Sequence, residues 1–83
     1  MLYEFKTTLT PQEVIKRAVE FFGPKPGGYG LDVTEQTECC AVFVGGGGHV
    51  RVTASAAERH TRVEIETREW DNQVKQFMNK TAK

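Results

Sequence analysis

Eighty-three residues predict a single domain over 1–83, with a core too small to support a deep catalytic cleft and the shell around it. Eleven basic side chains balance eleven acidic ones, so the cationic excess that drives phosphate-backbone binding is missing and a nucleic-acid partner is disfavoured. No apolar run reaches membrane-spanning length and no basic-then-apolar leader pattern opens the chain, so no membrane partner and a cytoplasmic location are expected.

The first run, LYEFKTTL (2–9), alternates. Tyr3 and Phe5 face one way and Glu4 and Lys6 the other, which is the pattern of a half-buried strand. TPQE follows: Thr10 is placed to cap a helix, Pro11 suits its first position, and Glu13 is spaced to close a capping box. Val14, Ile15, Ala18, Val19 and Phe22 then recur at helical spacing, and Gly23 and Pro24 stop the helix. GPKPGG (23–28) reads as a loop.

Four strand-like runs come next. YGLDVTE (29–35) places Tyr29, Leu31 and Val33 on one face, and CCAVFV (39–44) is apolar on both faces, as in the middle of a sheet. HVRVTAS (49–55) sets Val50, Val52 and Ala54 on one side, and TRVEIETR (61–68) does the same with Val63 and Ile65. The last segment, EWDNQVKQFMNK (69–80), returns to helical spacing through Trp70, Val74, Phe77 and Met78. Glu69 and Asp71 fall in its first turn and Lys80 in its last, as the helix dipole favours.

This order, β-α-β-β-β-β-α, predicts an α+β domain of two layers: an antiparallel sheet of about five strands with two helices on one face. It resembles the helix-grip arrangement of small ligand-binding domains and a single repeat of the TATA-binding protein, in architecture. The place of the first strand in the sheet is left open. A turn centred between Gly46 and Gly47 would pair Phe43 with Val50 and Ala41 with Val52. A turn centred between Ala57 and Glu58 would pair Val52 with Val63, Val50 with Ile65, Arg51 with Glu64 and His49 with Glu66.

These registers bear on the residues that could carry chemistry. Two adjacent cysteines are not the disulfide framework of a small secreted domain, and strand neighbours point to opposite faces. Cys39 and Cys40 are therefore expected as free thiols, Cys39 turned to the core and Cys40 to the open face. Cys40 and His49 would lie about 13 Å apart along the sheet, too far to share a metal. Neither histidine falls beside Cys40 as a base, and no Ser-His-Asp or isolated carboxylate pair emerges, so neither an enzyme nor a cofactor is predicted. GGGG (45–48) leads into a strand, not a helix, and reads as a hairpin turn instead of a phosphate loop.

Function then rests on placement. The loop 23–28, the glycine turn and the junction 68–70 converge at one end of the sheet, bringing together Tyr29, Gly46, Gly47, His49 and Trp70. An apolar gap between helices and sheet that opened there would bind a small apolar ligand without catalysis, and this is the first expectation. The second is a protein partner or homodimer docking on the open sheet face, through Cys40, Val42, Val44, Arg51, Arg62 and Glu64. Nucleic-acid binding through that face ranks below both, because its charges cancel and it lacks aromatics for stacking.

Overall fold

A computed structural model describes residues 1–82 and orders the elements as β1 (Leu2–Thr7), α1 (Pro11–Phe22), β2 (Asp32–Gln36), β3 (Cys40–Gly45), β4 (Gly48–Ala56), β5 (Thr61–Arg68) and α2 (Asp71–Thr81). The five strands form one antiparallel sheet in the order β1-β5-β4-β3-β2. Both helices pack on the same face, α1 against β3 and β4, α2 against β5. The first strand thus takes the edge beside the last one. None of the helices described is long and apolar enough to cross a membrane.

Local signals set the helix ends. The Thr10 hydroxyl accepts from the Glu13 amide at 3.2 Å, so the capping threonine acts as its spacing predicts. The second helix starts at Asp71, two residues later than the apolar spacing suggests, because Glu69 takes a left-handed φ of 76° in the junction. That bend turns the chain from β5 under the sheet. Tyr3 then donates to the Asp71 carboxylate at 2.5 Å, and the Thr7 hydroxyl donates to the Thr81 carbonyl at 2.7 Å, fastening α2 beneath the edge strand.

The layer between helices and sheet is filled by side chains. Phe22, Phe43, Val50, Val52, Val63 and Ile65 are fully buried, at 0% exposure. The Phe22 ring lies 5.5 Å from that of Phe43 and 5.4 Å from that of Phe77, centroid to centroid. Aromatic rings at such separations are in direct contact.

The glycine hairpin has the expected register. Gly45 pairs with Gly48, Phe43 with Val50 and Ala41 with Val52. Gly46 and Gly47 take positive φ values of 57° and 80°, as a two-residue hairpin turn of the primed type requires. Gly48 serves a different need: a Cβ there would lie 2.0 Å from the Arg68 carbonyl oxygen, so only glycine lets the end of β5 pass this close.

The second hairpin departs from expectation by two residues. Val52 pairs with Ile65, Val50 with Thr67, Arg51 with Glu66, His49 with Arg68 and Ser55 with Arg62. The turn is centred between Glu58 and Arg59, closed by the Ala57 amide donating to the His60 carbonyl at 2.8 Å. The observed register sets Thr61, Val63, Ile65 and Thr67, all buried, under the whole length of β4. The Thr67 hydroxyl is satisfied by the His49 carbonyl at 2.8 Å and that of Thr61 by the Leu9 carbonyl at 2.5 Å. A slip of two residues keeps every side chain on its own face, so hydrophobic alternation alone cannot detect it.

The cysteines also need correction. Cys39 is exposed, not in the core, and a vicinal disulfide joins it to Cys40 across a Cα–Cα distance of 3.8 Å, so neither is a free thiol. The reason is local. β3 begins only at Cys40, and Cys39 belongs to a turn in which the Thr37 hydroxyl accepts from the Cys39 and Cys40 amides at 3.3 and 3.1 Å. Strand alternation does not apply across that boundary.

Candidate functional site

The residues expected at the glycine-rich end divide between the two sides of the sheet. Trp70, Gly46 and Tyr29 belong to the helix side. The Trp70 indole lies so close to Gly46 that an added Cβ would meet its ring at 2.8 Å, and its Nε1 donates to the Gly45 carbonyl at 3.0 Å. Tyr29 packs edge-on against Trp70 with centroids 6.0 Å apart, and its hydroxyl donates to Gln76 at 3.0 Å. These two aromatics close the rim of the core where a ligand mouth was expected.

Gly47 and His49 belong to the open side. There they meet part of the expected interaction face in a groove of about 510 Å³. Val42 and Val44, neighbours on one face of β3, form its floor, and Val44 is 42% exposed. The turn glycines 45, 47 and 48 bound one end, and His49, Arg51 and Arg68 supply the polar wall. The remaining members of the expected face lie apart from it. Cys40 sits farther along β3, opposite Thr53, while Arg62 and Glu64 sit on β5 toward the β1 edge.

Alternation puts Arg68 on the open face, but the expected register does not bring it beside His49 or into the site. The expected register put Glu66 opposite His49, whereas Arg68 holds that place and thereby joins the groove. The signal was present in Thr61 and Thr67, which extend the β-branched set of Val63 and Ile65 at period two. Matched end to end with Val50, Val52, Ala54 and Ala56, that set gives the observed pairing.

His49 Nε2 lies 2.7 Å from Glu66 Oε1, a diagonal contact between the strands. This hydrogen bond holds the Glu66 carboxyl below the usual carboxylate range, and the charge of Arg51 works in the same direction. The nearest acid is therefore engaged by the imidazole. Arg51 and Arg68 form no ion pair among the described residues, and no carboxylate lines the groove. Two guanidinium groups thus stand beside an aliphatic floor, half-buried at Val42 and exposed at Val44, in a chain of zero formal charge. Among the described residues, no group of histidine, cysteine and carboxylate side chains could hold a metal ion.

Comparison with known proteins returns no matching family model, curated protein or solved structure.

Proposed function

We propose that this protein is a non-enzymatic binding module whose site is the groove over Val42 and Val44, and that it takes an amphiphilic anion, a carboxylate joined to a short hydrocarbon. The observation that carries this reading is a partly exposed valine floor beside two guanidinium groups that form no ion pair among the described residues, Glu66 across from Arg51 being hydrogen-bonded to His49. Guanidinium groups bind carboxylates through two parallel hydrogen bonds, and the valines would shed water onto the hydrocarbon.

The other readings draw less support. A small apolar ligand held between helices and sheet would have to displace Phe22, Phe43 or Phe77, which already fill that layer. A homodimer about an axis through the groove would set Arg51 and Arg68 against their own copies, like charge against like. Nucleic acid would meet Glu4, Glu64 and Glu66 on the same face.

Titration calorimetry with octanoate and with octylammonium tests the reading. The wild-type chain is expected to bind octanoate saturably and octylammonium not at all. The Arg51→Glu, Arg68→Glu double variant is expected to lose octanoate binding. Equal binding of the two amphiphiles, or undiminished binding by the double variant, would overturn it.

A further inference from the structure

The two edges of the sheet are finished differently. β2, at one edge, has five residues, breaks its ladder with a bulge between Val33 and Glu35, and exposes Asp32 and Glu35. Bulges and charges of this kind discourage further strand pairing. β1, at the other edge, is paired residue for residue with β5 from Leu2 to Thr7, without a bulge, and contains neither proline nor glycine. Leu2 is 60% exposed, and Tyr3 and Phe5 are only half-buried.

The phase of the ladder identifies the free backbone groups. Met1 and Thr67 exchange both hydrogen bonds, the Thr67 amide reaching the Met1 carbonyl at 2.9 Å and the Met1 amine reaching the Thr67 carbonyl. Antiparallel pairs alternate, so Tyr3, Phe5 and Thr7 turn their peptide groups toward β5. Those of Leu2, Glu4 and Lys6 turn toward the open edge.

The side chains on that strand carry a charge pattern that β5 leaves unbalanced. Glu4 stands directly across from Glu64, and Lys6 directly across from Arg62. Like charges in direct opposition weaken a sheet. Arg62 escapes by reaching diagonally to Glu4 at 3.0 Å. Lys6 has no ion pair among the described residues.

We infer that a second copy of this chain adds to the β1 edge, antiparallel and centred on Phe5, to make one continuous sheet across the two copies. A two-fold axis normal to the sheet permits centring on any residue of β1. Centring on Glu4 or Lys6 opposes like charges, centring on Tyr3 sets Glu4 opposite Leu2 and leaves Lys6 without a partner, and centring on Leu2 leaves most of the strand unpaired. Centring on Phe5 sets Glu4 opposite Lys6 of the second copy, twice. Both residues have outward peptide groups, so each such pair closes two backbone hydrogen bonds as well as an ion pair. The two Phe5 rings meet on the helix side, and each Tyr3 lies opposite Thr7. The groove over Val42 and Val44, on the far side of the sheet, stays open in both copies.

Sedimentation of the whole chain from about 10 μM to 1 mM, the range expected for a small interface, tests the arrangement. The wild type is expected to dimerise across that range. Glu4→Lys alone and Lys6→Glu alone each place like charges at both contacts and are expected to weaken association about tenfold or more. An equal mixture of the two variants restores opposite charges at both contacts and is expected to dimerise like the wild type, an outcome that misfolded variants cannot give. A parallel measurement on the unmodified chain follows amide exchange at Glu4 and Lys6, which is expected to slow as concentration rises. A wild type that stays monomeric, a mixture that stays monomeric, variants that associate like the wild type, or exchange independent of concentration would each overturn the inference.

Discussion

Phe43 and Val44 are neighbours on one strand and live under opposite rules. Phe43 points to the helices and is fully buried against Phe22, while Val44 points to the open face and is 42% exposed. The whole sheet divides in this way. Its covered face is mostly apolar and specified by packing, with buried Thr7, Thr61 and Thr67 held by hydrogen bonds. Its open face carries the charges, the groove and the unbalanced lysine. What the difference teaches is that stability and binding can be assigned to alternate residues of the same strands, so a substitution tests one or the other according to its parity.

The largest effect should come from the covered face. Phe43→Ala is expected to cost about 3–5 kcal/mol in urea unfolding, through lost burial and the cavity left behind. Gly48→Ala should follow at about 1–3 kcal/mol, because a Cβ would drive into the Arg68 carbonyl at the closest approach of the two strand ends. On the open face, Val44→Thr should change stability by no more than about 0.5 kcal/mol. It should still weaken octanoate binding about fourfold, the contribution of one lost methyl contact. A large stability loss in Val44→Thr, or a negligible one in Phe43→Ala, would break the division between the faces.

A smaller effect lies at the covered edge. The hydrogen bond from Tyr3 to the Asp71 carboxylate raises the Tyr3 phenol above its ordinary value of 10.0. A raised folded value means that this contact stabilises below the unfolded phenol pKa and fades as pH rises through the folded one. Ultraviolet titration should find Tyr3 ionising late, and Asp71→Asn should bring it back toward the ordinary value.

Much of this architecture was legible because short signals agreed. Thr10, Pro11 and Glu13 fixed a helix start, and Gly46 and Gly47 fixed a turn whose register then followed. Alternation assigned Val42, Val44 and Arg51 to the open face correctly. It could not fix the pairing of β4 with β5, since a slip of two residues preserves parity, and so Arg68 was missed at the groove. Nor could it show that Gly46 and Trp70 close on the helix side while Gly47 and His49 stay on the open one. That depends on how the junction after β5 bends, and the left-handed backbone of Glu69 there is one that residue preference does not predict for a glutamate. The cysteine assignment failed at an element boundary, where Thr37 holds a turn in place of one more strand residue.

The most direct test of the binding face is a methyl-resolved NMR titration with octanoate, in which valines on the two faces report separately. The methyls of Val42 and Val44 should shift saturably while those of Val50 and Val52 stay in place. Shifts concentrated at Val50 and Val52 would put the ligand between helices and sheet and contradict the assignment of the site to the open face.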